Sequence, residues 1–400
     1  MKKPELLAPA GTYEKMVTAF RFGADAVYFA GKKFGLRAFA GNFDDKEIET
    51  AVSYAHNLGK KVYITINILA HEDDFDGLEE YVKYLENIGV DAVIVADLGI
   101  ISLIRTVCPN LEVHVSTQAN VLNSFAINFL AGLGIKRIIL AREVSVAEIK
   151  KIRSRIPKSI ELECFVHGAM CISYSGRCLL SNYLTNRDSN RGACVQACRW
   201  QYTINEISRK DGNKYEVQED SRGTYILNSK DLCMIKHLQE LIDAGVNSFK
   251  IEGRMKSEYY VATVVNAYRK AIDGNNNLDF LQTETEKASH RQYTTGFYFG
   301  AENKECLETS MPIQTHEFVA VVLEDAQNGV VKIQQRNRFK QGDVLEVLSP
   351  SPQTFNQQIV VENLKNINGE TVEDAKQVQQ TLFLPTTLPL LKGDILRKQL

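Results

Sequence analysis

The sequence predicts an α/β fold: a TIM-like (β/α)8 barrel with an inserted cysteine-rich loop, followed by a small all-β C-terminal domain. Three observations lead there. Eight short β-branched runs, separated by helix-length stretches, succeed one another as far as residue 251; that is the pattern of βαβ units in a parallel sheet, and eight such strands close a TIM barrel. Cysteines crowd into the stretch between the seventh and eighth runs. From residue 313 the chain changes to β-rich runs broken by Gly, Pro and Asn turns, the signature of a compact all-β domain.

The elements follow in order. ELLAPAG, from Glu5 to Gly11, is a strand that breaks at Pro9 and Gly11. Tyr13, Met16, Val17 and Phe20 then recur with helical spacing and give a helix with one buried face. The remaining barrel strands are read at Ala26 to Phe29, Lys61 to Ile66, Ala92 to Val95, Glu112 to Val115, Arg137 to Leu140, Ile160 to Val166 and Ser248 to Ile251. An open doubly wound sheet is the alternative, but APAGTYEK after the first strand lacks the G-x-G-x-x-G turn that such sheets usually place there. Val261, Val264, Val265 and Tyr268 share one face of a closing helix that stops at Asp273-Gly274. The barrel is therefore assigned to 1–273 with the insertion at about 167–224, a connector to 274–312, and the β-barrel-like domain to 313–400.

A net charge of −2 excludes a globally basic nucleic-acid module but leaves room for a local basic face. The start, MKKPELLAPAG, shows no signal-peptide run, and no stretch reaches the about 20 apolar residues of a membrane helix. A cytoplasmic protein with no membrane partner is expected. Thiols stay reduced there, so eight cysteines favour metal binding or catalysis over disulfides.

Cys171, Cys178, Cys194 and Cys198 fall in a loop rich in Gly and Arg, and Cys233 follows. Cysteine is often only a small buried hydrophobe, but Gly168, Gly176, Gly192 and the polar run from Ser181 to Arg191 do not resemble core. Successive thiols are separated by six, fifteen, three and thirty-four residues, without the C-x2-C pairs usual for zinc. Such loop spacing suits a [4Fe-4S] cluster better than zinc, with five thiols available for four positions. Ser229 or Asp231 is read as the cap of a helix whose first turn carries Cys233, a setting that favours thiolate. Cys108 and Cys306 stand alone among apolar neighbours and are read as structural.

Chemistry in a TIM barrel sits at the carboxyl ends of the strands. Asn67, Asp97, Ser116, Thr117, Gln118, Arg142, Glu143, His167, Glu252, Arg254 and Lys256 all fall there. Arg142, Arg177, Arg254 and Lys256 are candidates to bind carboxylate or phosphate, and His167 or Glu252 to move protons. Arg177, Arg187, Arg191 and Arg199, opposed only by Asp188, could meet a phosphate backbone. For a peptidase the signs are thin. His71-Glu72 lacks the second histidine of H-E-x-x-H and no G-x-S-x-G occurs, which leaves only His167 four residues before Cys171 as a thiol and imidazole pair. A noncatalytic RNA-binding or scaffold protein with a structural cluster is the third class.

ELECFVHGAMCISYSGRCLLSNYL, GACVQACRW, ILNSKDLC and SFKIEGRMKS together resemble the family first labelled collagenase-like peptidases of unknown catalytic type, and within it a bacterial branch concerned with tRNA hydroxylation. The likeness covers nearly the whole chain, from ELLAPAG through TTGFYFG into the β-domain. It implies a TIM-like barrel bearing a [4Fe-4S] cluster, and oxygen-independent 5-hydroxylation of the wobble uridine of tRNA with prephenate as carboxylated co-substrate and oxygen source. Other branches imply hydroxylation of a ribosomal RNA cytidine or a small aromatic ring. tRNA and the iron-sulfur assembly machinery are the implied partners. By position, Cys171 and Cys178 match the family's M-C and G-R-C cysteines, Cys194 its G-x-C and Cys233 its later D-L-C; in some relatives the counterpart of Cys198 serves instead, so the fourth ligand stays open.

Overall fold

The computed structural model describes residues 3–36, 41–200, 219–220, 223–224, 229–300 and 312–400. Most of the insertion beyond Trp200, and Cys306, lie outside them. Contacts divide the chain into two compact units, one of residues 1–16, 25–255 and 291–312, the other of 17–24, 256–290 and 313–400.

The first unit contains the barrel. Its strands are β1 (Glu5–Pro9), β2 (Ala26–Phe29), β3 (Lys61–Ile66), β4 (Ala92–Val95), β5 (Val113–Val115), β6 (Arg137–Ile139), β7 (Glu161–Ala169) and β8 (Ser248–Ile251). Each pairs in parallel with the next, and β8 pairs with both β7 and β1, so the sheet closes. AVYF and AVIV are buried at every position, which is why these strands read as continuous apolar runs and not as alternating ones; SFKI is buried throughout as well, although Ser248 and Lys250 alternate there with Phe249 and Ile251. The helices between them start on local signals. Asp44 and Ser145 form capping boxes with Glu47 and Glu148 ahead of α2 (Asp45–Asn57) and α6 (Val146–Arg153). Asp97, expected at the barrel mouth, caps α4 (Leu98–Val107) by accepting from the Gly99 and Ile100 amides.

One local expectation fails. Asp231–Cys233 is a strand and not the start of a helix. It pairs antiparallel with the last residues of β7, Cys233 opposite His167 and Asp231 opposite Ala169, which is why β7 runs to Ala169 and not to Val166. The helical turn begins only at Ile235. Partners more than sixty residues away satisfy the backbone of D-L-C, and a capping pattern cannot register them.

An ionic network occupies the barrel interior. Arg137 on β6 reaches Glu5 on β1 at 2.5 Å and Glu161 and Glu163 on β7 at 2.6 and 3.1 Å, while Lys250 on β8 reaches Glu163 at 2.9 Å. Ser248 and Tyr63 also donate to Glu5. Burial alone would raise the Glu163 and Glu5 carboxyls, but the Lys250 and Arg137 charges beside Glu163 and the Arg137 guanidinium beside Glu5 hold both below the usual value of 4.5.

In the second unit, β9 (His316–Gln327), β10 (Val330–Gln335), β11 (Val344–Leu348), β12 (Gln358–Val360), β13 (Lys365–Asn366), β14 (Thr381–Pro385) and β15 (Ile395–Gln399) form an antiparallel sheet in the order β12-β11-β15-β9-β10-β14-β13. Val319, Ile333, Phe339, Leu345, Leu382 and Leu396 fill its core. Fully buried Arg397 is held by Glu284 at 2.6 Å and by Glu346. This unit takes in α9 (Glu258–Ile272), which the sequence alone groups with the barrel: Tyr259 donates to the Lys287 carbonyl and Asn266 to that of Ser349. Among the described residues no helix is long and apolar enough to cross a membrane.

Replacing Arg137 by Met should cost about 3–5 kcal/mol in urea unfolding, because it leaves Glu163 and Glu5 buried without their guanidinium. The lowered carboxyls bind fewer protons folded than unfolded, so their contribution is complete above pH 4.5 and declines as pH falls below it. Arg137→Met should flatten that acid limb in a pH series of unfolding curves.

Candidate active site lined by cysteines

Beyond β7 the chain forms a lobe over the carboxyl ends of the barrel strands, and specific contacts hold it there. The Ser175 amide and hydroxyl donate to Glu143 after β6 at 2.9 and 3.1 Å. The Leu69 amide after β3 donates to the Asn190 carbonyl at 3.1 Å, and Arg191 pairs with Asp74, Nη2 to Oδ1 at 2.9 Å. Gly176 lies against the loop after β5, so close that a Cβ there would stand 1.9 Å from the Gln118 carbonyl oxygen, and its φ is +71°. Only glycine fits both demands.

Lobe and barrel enclose a cavity of about 160 Å³, close to the volume of about 150 Å³ that takes one aromatic ring. Four thiols line it: Cys171, Cys178, Cys194 and Cys198. Cys171 is exposed and the other three are half-buried. Burial acts to raise Cys178, but hydrogen bonds from the Ser173 and Ser189 hydroxyls and the Leu180 and Ser181 amides outweigh it and lower the thiol. The Gln196 amide donates to the Cys194 sulfur at 3.4 Å. Cys233, paired through its backbone with β7, is buried and does not line the cavity. Cys164 does not line it either; burial pushes its thiol up to about 12.

Charged residues of the barrel line the same cavity. Arg142 lies 4.2 Å over the Phe165 ring and 3.4 Å from Glu252. Arg254, 5% exposed, donates to Thr65 Oγ1 at 3.4 Å and to the Leu36 carbonyl. Lys250 also lines the cavity, its ammonium 4.3 Å over the Tyr28 ring. The other sequence candidates are placed elsewhere. Lys256 donates to the Ser289 carbonyl at 3.1 Å and lies over the Tyr260 ring. Arg177 is exposed on the lobe, and His167 is buried beside the Tyr293 ring. None of these three lines the cavity.

Against known families, the description "Peptidase family U32" matches residues 11–308 and "Peptidase family U32 C-terminal domain" matches 314–397. The chain belongs to peptidase family U32. It is 41% identical to tRNA hydroxylation protein P1 of Bacillus subtilis (strain 168), over 99% of this chain and 95% of that protein. With tRNA hydroxylation protein P of Escherichia coli (strain K12) the identity is 37%, over 96% and 94%. With the 23S rRNA 5-hydroxycytidine C2501 synthase of the same organism it is 37%, over 73% of this chain and 45% of that one.

What the sequence missed in this U32 chain is Lys250. In SFKI it reads as an ordinary strand lysine, and the only signal is a charge inside a run that is otherwise core. Ser175, Ser189 and Asn190, which tie the thiol-bearing loop together, look like generic polar loop residues.

Gly176→Ala should lower thermal stability by an amount equivalent to about 1–3 kcal/mol. It should also speed proteolytic cleavage between Cys171 and Trp200, because the added Cβ forces the lobe off Gln118; mass mapping of a limited digest reads both the site and the rate.

Proposed function

We propose that this chain is a tRNA-modifying enzyme that hydroxylates C5 of the wobble uridine without dioxygen, with prephenate as carboxylated co-substrate and a [4Fe-4S] cluster held by Cys171, Cys178, Cys194 and Cys198. One observation carries the reading: a cavity at the carboxyl end of the barrel is lined both by four thiols of the lobe and by Arg142, Arg254 and Lys250 of the barrel. Likeness over nearly the full length to proteins named for tRNA hydroxylation supports it.

The donor set suits a cluster better than a single ion. Among the described residues no three His, Cys, Asp or Glu side chains converge on one metal position. A zinc ion would need its sulfurs at about 2.3 Å from a common centre, whereas a cluster sets one iron beneath each thiolate and takes thiols placed further apart. Donation to Cys178 and Cys194 from neighbouring amides and hydroxyls is the environment that stabilises ligating thiolate. Because Cys198 lines the cavity beside the other three thiols and Cys233 does not, Cys198 replaces Cys233 as fourth ligand in our assignment.

Replacing C5–H by C5–OH takes two electrons and a proton from the base and adds an oxygen atom, which the prephenate co-substrate would supply; a cluster, when bound, would pass the two electrons one at a time to an electron acceptor other than dioxygen. The protein's own residues do the rest. Arg142 and Arg254 offer guanidinium groups for the carboxylates of the co-substrate. Glu252, beside Arg142, can accept the proton released from the base. Phe165 and Tyr28 shape the space for a ring, and the lobe limits access of water.

A relative named for 5-hydroxycytidine in 23S rRNA favours a second reading, another RNA pyrimidine as substrate. A cysteine peptidase would need an imidazole beside its thiol, and no histidine is among the described residues lining the cavity.

Protein purified without air should be brown and hold about four irons per chain. Cys171→Ala, Cys178→Ala and Cys198→Ala should lose that iron while Cys233→Ala keeps it; the reverse for the last two would return Cys233 to the ligand set, and zinc alone would remove the cluster. Deleting the gene should replace 5-hydroxyuridine-derived nucleosides of tRNA by uridine in a mass-spectrometric digest. A loss confined to ribosomal RNA would select the second reading, and unchanged nucleosides would reject both.

A further inference from the structure

The lobe that covers the cavity presents aromatic rings to solvent. Tyr183, on the short helix Leu180–Thr185, is 80% exposed, and Tyr174 is 59% exposed while also lining the cavity. Leu179 beside them is exposed as well. Neither tyrosine contributes to the barrel core; with Leu179 they leave three large apolar side chains exposed within ten residues of one lobe, and such exposure clustered beside a cavity is what a contact surface shows.

Charge identifies the kind of partner. From Cys171 to Trp200 the chain carries Arg177, Arg187, Arg191 and Arg199 against the single acid Asp188, although the whole protein has a net charge of −2. Asp188 is occupied in accepting from the Asn190 amide at 2.7 Å. Arg191 is committed to Asp74, and Arg199 to the Met170 carbonyl and Gln196. Arg177 and Arg187 are exposed on the same lobe as the tyrosines. Aromatic faces interleaved with arginine are the means by which proteins hold unpaired nucleic-acid bases, the rings stacking and the cations following the backbone.

The cavity supplies the geometric reason. Its open space is about 160 Å³, too little for a base still stacked on its neighbours, so a base that enters it has left its stack, and its neighbours have lost a stacking partner. We propose that Tyr174 and Tyr183, with Arg177 and Arg187, form a platform that stacks the unpaired bases next to the base held in the cavity, so that the lobe recognises a single-stranded RNA loop and not a duplex. This rests on the tRNA reading above and adds the surface that selects the loop.

The test is fluorescence anisotropy with the full chain prepared without air, using a labelled anticodon stem-loop and, as competitor, the same sequence closed into a duplex. Tyr183→Ala and Tyr174→Ala should each weaken stem-loop binding about tenfold, the loss of one stacked base, and Tyr183→Phe should restore it. Arg187→Glu should reduce the slope of affinity against salt, whereas the tyrosine variants leave that slope unchanged. Unchanged circular dichroism and iron content show that the lobe is intact. If wild type binds the stem-loop and both alanine variants bind equally well, or if the duplex competes equally, the platform is wrong while the tRNA reading stands. If wild type binds no tRNA and deletion of the gene leaves tRNA nucleosides unchanged, both fall. Self-association that is lost in Tyr183→Ala at unchanged RNA affinity would assign the surface to a second copy and overturn the proposal.

Discussion

The constraint on which the first unit depends is the neutralisation of charge where the barrel closes. Glu5 on β1, Arg137 on β6, Glu161 and Glu163 on β7 and Lys250 on β8 bring four strands together through one network. Glu163, Lys250 and Arg137 are buried and Glu5 largely so, and each alone would make the interior costly, since a buried ion without a partner loses several kcal/mol of hydration; Glu161, more exposed, closes the network at its edge. Because each needs the others, the network specifies which strands must meet. β8 pairs with β7 and β1 on either side, so the residues that close the sheet also carry the ions. The same network continues upward: Lys250 ends in the cavity, and the ionic core and the site share a residue.

Above that core the site is made by bringing together two chemistries that the chain keeps apart. Thiols come from the lobe and cations from the ends of β6 and β8. Between Cys171 and Trp200 the lobe has little regular structure of its own, a six-residue helix and two single turns. What holds it is contact with three barrel loops, through Ser175 to Glu143, Asn190 and Arg191 to the loop after β3, and Gly176 to Gln118. A loop can carry reactive cysteines in this way because the rigid barrel positions them.

The arrangement also bears on the family's name. Membership of a peptidase family describes descent, whereas activity has to be argued from the site. Among the described residues that line the cavity are four thiols and two guanidinium groups but no histidine, so no imidazole there stands ready as base for a thiol nucleophile.

The sequence by itself determined the number and order of the barrel strands, the all-β C-terminal domain and the crowding of cysteines after the seventh strand. These are local properties: a strand buried on both faces has to be a continuous apolar run, and a helix announces itself by its cap and its period. It also determined that Arg142, Glu252 and Arg254 fall at strand ends, because strand ends can be counted. Only the tertiary structure decided which of five thiols face one space. Cys198 does, and Cys233 does not, because the D-L-C segment hydrogen-bonds to the end of β7, more than sixty residues away. Tertiary contacts likewise placed His167 against Tyr293, drew Lys256 to Ser289 and brought Lys250 into the cavity. The direction of a side chain at a strand end depends on the backbone register of its neighbours, and register is a property of pairs of strands, which no single stretch of sequence contains.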